Sequence, residues 1–99
     1  MEPIKRFISS VTEGNLWTYV LSLGKEKEVQ ESEVSRLIFE KFGFLPNDLM
    51  VKSVLFRLKN DGYVSREKLA SKKAFKITEK GLKELEAMKS YSANLIQKL

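Results

Sequence analysis

Along the first half of the chain, apolar residues recur every three or four positions in short stretches that single glycines interrupt. Pro3 suits the first turn of a helix, where a missing N–H costs nothing, and Ile4, Phe7, Ile8 and Val11 follow at helical spacing. Gly14 is expected to break this helix, and Asn15 to cap a second one that runs to about Leu23 and ends at Gly24. Leu16, Trp17, Tyr19, Val20, Leu21 and Leu23 make the second helix apolar nearly all round, which assigns it to the middle of a core. Lys25 to Glu31 is charged and polar, a loop or short edge strand with Val29 as its one inward residue. Ser32 is expected to cap a third helix with Val34, Leu37, Ile38 and Phe42 inward and Gly43 as its stop. Phe44, Leu45 and Pro46 form a turn, and Asn47 caps a fourth helix that runs to about Asp61, before Gly62. Two helices so closely joined have the spacing of a helix-turn-helix.

At roughly 100° per residue, Val51, Val54, Leu55 and Leu58 fall on one face of the fourth helix. Leu49, Lys52, Ser53, Phe56, Arg57 and Asn60 point away from it. After Gly62 the period shortens to two. Tyr63 and Val64 begin one strand, Phe75 and Ile77 alternate with Ala74 and Lys76 in another, and the polar stretch between them predicts a hairpin with a basic tip. Thr78 then caps a last helix in which Leu82, Leu85, Met88, Tyr91, Leu95 and Leu99 are spaced by threes and fours, a stripe longer than one small core needs. The resulting fold class is mainly α with a small β-hairpin wing: a winged helix-turn-helix. Residues 1–99 form one domain, with an N-terminal helix over 1–13, a winged-helix core over 15–81 and a C-terminal helix over 79–99.

Composition narrows the function. An apolar share of 42% is enough to fold a chain of 99 residues without staples. Cysteine and histidine are both absent, which removes disulfides, most zinc sites and the commonest acid-base side chain. No phosphate loop, nucleophile elbow or carboxylate cage is recognisable, so no enzyme, metal or cofactor is expected. The opening residues lack the apolar run of a signal peptide and no stretch approaches the ~20 apolar residues of a membrane span, so a cytoplasmic protein without a membrane partner is expected.

The net charge of +5 is unevenly spread. Residues 1–51 carry six basic and eight acidic groups, residues 52–83 ten basic and three acidic, and residues 84–99 two of each. A cationic block centred on the fourth helix and the hairpin, the elements a winged helix presents together to DNA, points to a polyanionic partner. Lys52, Ser53, Phe56, Arg57 and Asn60 are the candidates for a major-groove surface, with Lys52 and Ser53 nearest the bases. Arg66, Lys68, Lys72 and Lys73 are the candidates for phosphate or minor groove. A homodimer interface is expected from Leu82, Leu85, Met88 and Leu95, with Ile4, Phe7 and Ile8. The alternative is a winged helix that binds an acidic protein and no nucleic acid. Trp17 and Tyr19 read as core, with a ligand pocket at the dimer interface as the other possibility; the sequence names no effector.

The run Val51-Lys52-Ser53-Val54-Leu55-Phe56-Arg57-Leu58-Lys59-Asn60-Asp61-Gly62-Tyr63-Val64, followed by Ala74-Phe75-Lys76-Ile77-Thr78-Glu79-Lys80-Gly81, resembles the PadR family of winged-helix transcriptional regulators. MarR-type regulators share much of this signature. The resemblance extends over residues 15–90 in element order and is specific over 51–64 and 74–81. Where PadR proteins commonly have Tyr-Pro in the recognition helix, this chain has Lys52-Ser53. The resemblance implies a homodimeric regulator on a palindromic operator, with recognition helix 47–61 in the major groove, wing 63–77 beside it, and the C-terminal helix making the subunit contact.

Overall fold

A computed structural model describes residues 2–99. Met1, the first residue of the predicted 1–13 segment, lies outside the described residues. Helix α1 spans Pro3–Val11, α2 Leu16–Leu23, α3 Val34–Phe42, α4 Asp48–Asn60 and α5 Glu79–Lys98. Strands β1 (Val29–Gln30), β2 (Val64–Leu69) and β3 (Lys72–Ile77) form an antiparallel sheet in the order β1-β3-β2. The architecture is a winged helix, mainly helical with a small sheet. Among the described residues no helix is long and apolar enough to cross a membrane.

Helix α2 is the hub. Leu16, Val20 and Leu21 are buried in it and meet Val34 and Ile38 of α3, Val51, Leu55 and Leu58 of α4, Val64 and Phe75 of the sheet, and Leu85 of α5 in one cluster. Among the described residues no polar or charged residue is buried, so the core carries no uncompensated desolvation cost. Tyr19, at the edge of this core, packs edge-on against Phe42 and Phe44 at centroid distances of 4.8 and 4.9 Å and donates its hydroxyl proton to the Val11 carbonyl. Burial raises its pKa above the ordinary tyrosine value.

Several helix ends follow their local chemistry. The Asn47 side chain accepts from the Leu49 and Met50 amides (2.8 and 3.3 Å), capping α4. At the other end of α4, the Gly62 N–H donates to the Lys59 carbonyl and the Tyr63 N–H to the Leu58 carbonyl. Gly62 takes a left-handed φ of 79° to make this closure possible. Thr78 accepts from the Gly81 amide at 3.1 Å, capping α5, and donates to the Gly62 carbonyl at 2.7 Å, so the end of α4 and the start of α5 are tied through one hydroxyl.

Other ends depart from the sequence reading. Gly14 does not break α1; the helix ends at Thr12, whose hydroxyl donates to the Ile8 carbonyl (2.7 Å), and Gly14 sits inside a 3-10 turn over Glu13–Asn15. Asn15 precedes α2 but caps nothing, because its amide donates back to the Ser10 carbonyl. Ser32 is not a cap either: it lies within a second 3-10 turn, Glu31–Glu33, which continues directly into α3. The polar stretch of the hairpin is paired strand and not a loop, with Lys68, Lys72 and Lys73 in the last two pairs before the turn. The whole stretch from Val64 to Ile77 is paired except for a two-residue turn at Ala70 and Ser71, both left-handed (φ 55° and 64°), and the cations lie along the strands. Within Lys25 to Glu31 the short edge strand is the alternative that forms: β1 joins the sheet with Val29 pairing with Phe75 and Gln30 with Ala74, and Val29 is buried.

Candidate nucleic-acid interface

The face of α4 opposite the core is open. Val51, Leu55 and Leu58 are buried, whereas Lys52, Ser53, Phe56, Arg57 and Asn60 are exposed. Phe56 is 63% exposed, so no neighbour shelters it, and a large apolar ring stands among cations on a solvent-facing helix.

The hairpin turns its cations toward this helix through the period of two. Residues paired across an antiparallel sheet share a face, so the register Val64↔Ile77, Arg66↔Phe75 and Lys68↔Lys73 places Arg66, Lys68 and Lys73 on the face of Val64, Phe75 and Ile77. Near the root that face is buried in the core; two residues further out it becomes cationic. The result is a groove of about 890 Å³ between α4 and the wing, lined by Lys52, Phe56 and Lys59 on one side and Arg66, Lys68 and Lys73 on the other. An adjoining cleft of about 300 Å³ brings Lys72 beside Lys52 and Lys73, with Ser32 at its edge.

Of the nine residues picked out for nucleic acid, Lys52, Phe56, Arg66, Lys68 and Lys73 thus share one groove. Lys72 lies next to it, and Asn60 joins it indirectly by accepting from the Arg66 guanidinium at 3.2 Å. Ser53 and Arg57 are exposed but lie on the far flank of α4 and line neither cavity. The sequence reading missed Lys59 and Glu31, which form a half-buried ion pair inside the groove. Nothing local could have revealed it, since the partners are 28 residues apart. Glu67 also lines the groove, where its carboxylate accepts from the Ser65 hydroxyl at 2.7 Å. Lys80, by contrast, belongs to the framework: its ammonium lies 4.5 Å from the Tyr63 ring centroid and donates to the Asp61 carbonyl at the C-terminus of α4.

A second surface is apolar. Helix α1 buries none of its residues, and Ile4, Phe7, Ile8 and Val11 are exposed in one stripe. On α5, Leu82, Tyr91, Leu95 and Ile96 are exposed as well, as is Leu99 just beyond its end. Leu85 corrects the expected interface: at 1% exposure it is spent on the core of its own chain, and Met88 packs partly against that core. A cavity of about 390 Å³ between α2 and α5 is lined by Thr18, Tyr19, Ser22, Phe42, Met88 and Ser92, among others. Tyr19 therefore borders a cavity as well as the core, while Trp17 packs against the core alone.

No protein-family model matches the sequence, and no curated protein matches it. Solved structures do. A PadR-like transcription factor from Bacteroides fragilis superposes with a TM-score of 0.75 at 21% identity over 94% of each chain. A transcriptional regulator from Clostridium thermocellum gives 0.76 at 26% identity over 91% of this chain and 90% of that one. Bacillus subtilis PadR, solved in complex with operator DNA, gives 0.66 at 19% identity over 74% of this chain and 45% of that longer one. Superposing over most of its length on these structures, the chain has the winged-helix fold of the PadR-like transcriptional regulators.

Proposed function

We propose that this protein is a sequence-specific, double-stranded-DNA-binding transcription regulator that acts as a cytoplasmic homodimer. The observation that carries the reading is the groove: Lys52, Arg66, Lys68 and Lys73, drawn from one helix and two strands, meet around an exposed Phe56. A merely solubilising charge has no reason to converge, because like charges brought together repel. Helix α4 enters the major groove, with Lys52 and Ser53 toward base edges and Phe56 toward a thymine methyl. Arg57 and Asn60 sit further along the helix and serve backbone contacts, Asn60 also steadying Arg66. The strand cations Arg66, Lys68, Lys72 and Lys73 take phosphate or minor groove.

Two copies associate through α1 and the outer part of α5, using Ile4, Phe7, Ile8, Leu82 and Leu95 with a contribution from Met88. What supports this is the unpaired apolar stripe on both helices, more than a small domain ordinarily leaves to water. A symmetric dimer of helix-turn-helix units reads half-sites about 10 bp apart or a multiple of it. Titration of labelled random duplex DNA at increasing salt tests the first claim, and selection from a random DNA pool tests sequence preference and symmetry together. Absence of salt-sensitive binding at low ionic strength would return the fold to its other use, a module that binds an acidic protein.

A further inference from the structure

The groove contains two lysines in contrasting states. Lys59 follows Lys52 by two turns on the same flank of α4, about 10 Å further along the axis, and both line the groove. Lys52 is exposed and makes no ion pair with another described residue. Lys59 is held by Glu31, with the two side chains only 13% and 22% exposed. Glu31 is anchored in turn: it opens the 3-10 turn immediately after β1, and its neighbour Gln30 pairs with Ala74 of β3 and donates its side-chain amide to the Leu69 carbonyl. A carboxylate so fixed cannot follow the ammonium outward.

We infer that Glu31 is a specificity-determining residue: by clamping Lys59 it withholds one cation from the DNA backbone and keeps that part of the groove neutral. This rests on the DNA-binding reading and deepens it. A cation free to reach phosphate adds affinity for every sequence alike, because the phosphate backbone is the same everywhere. A clamped one adds none. The groove keeps Lys52 near the bases while the helix end beside the wing stays neutral, so non-specific affinity is lowered without touching the base-reading positions.

The test uses the full chain and a random-sequence duplex, with affinity measured across a salt series. Glu31→Gln frees Lys59 and steepens the dependence of log K on log salt by ~0.9, the increment of one added phosphate contact. Lys59→Gln alone leaves the slope at its wild-type value, since that cation is already withheld. The double variant E31Q/K59Q loses the extra increment. A purely structural ion pair would instead lower the melting temperature of Glu31→Gln and leave its slope unchanged, which overturns the inference. So does a slope that flattens by ~0.9 in Lys59→Gln alone, and this arm stands even where Glu31→Gln fails to fold. If the wild-type chain shows no salt-dependent binding, the DNA-binding reading itself has failed, and this proposal goes with it.

Discussion

Two of the molecule's exposed surfaces, the groove and the apolar face, are built on opposite principles. The groove between α4 and the wing gathers Lys52, Arg66, Lys68 and Lys73 around a single exposed aromatic. The α1 stripe and the outer half of α5 expose aliphatic and aromatic residues instead, from Ile4 and Phe7 to Leu95 and Ile96. A cationic surface remains comfortably solvated until a polyanion releases counterions from itself, whereas an apolar one is unfavourable in water at all times. The first surface can therefore wait for its partner; the second calls for one permanently. This difference is what underlies the proposal of DNA at the groove and a second copy at the apolar face.

Four experiments would break or sharpen that contrast. The largest effect is expected at Gly81, the joint between the two faces. A Cβ there would stand 2.1 Å from the Tyr63 carbonyl oxygen and 2.9 Å from Ile77, both part of the wing's root. Gly81→Ala should cost about 3 kcal/mol or more of stability, read from denaturant unfolding, by prising α5 off Tyr63 and the end of β3. A stable Gly81→Ala variant would mean that the faces are not rigidly coupled.

Next comes the apolar face. The double variant F7E/L95E places charges on both exposed stripes and should convert a dimer into a monomer by sedimentation equilibrium. Affinity for a two-half-site operator should fall roughly 100-fold, while affinity for a single half-site holds, since avidity alone is lost. A dimer that survives would move the interface elsewhere.

Smaller is the expected effect of removing wing cations. Lys72→Ala with Lys73→Ala should weaken binding to all duplexes alike, by about tenfold at moderate salt, and flatten the salt slope by ~1.8 as two phosphate contacts disappear. An unaltered slope would take these strands out of the interface. The smallest effect lies at the tip. Ser71 holds φ at 64°, a conformation that suits glycine, so Ser71→Gly should raise stability by about 0.5–1 kcal/mol in thermal unfolding and leave DNA affinity as it was.

Legibility followed the range of the interaction. Asn47 and Thr78 cap their helices, and Gly43 and Gly62 close theirs with left-handed φ, because these devices involve neighbours within a few residues. The inward face of α4 and its exposed opposite were legible for the same reason: helical period alone separates Leu55 from Phe56. Ser32 and Asn15 failed as caps although they are good capping residues, since the chain enters both helices through 3-10 turns and the first-turn amides are met differently. The hairpin was placed correctly, but the length of its strands was not, because a run such as Ser65 to Lys73 has too few apolar residues for its alternation to show.

By itself, then, the sequence determined which segments coil, which extend, where most of them stop, and that the cations crowd into residues 52–83. Tertiary structure alone decided how those cations are used. Strand register turned Arg66, Lys68 and Lys73 toward α4, pairing across 28 residues clamped Lys59 to Glu31, and the core claimed Leu85 while leaving Leu95 outside. Periodicity records which way a residue points from its own helix or strand. What stands opposite it depends on how the elements pack, and no local pattern in the chain encodes that distance.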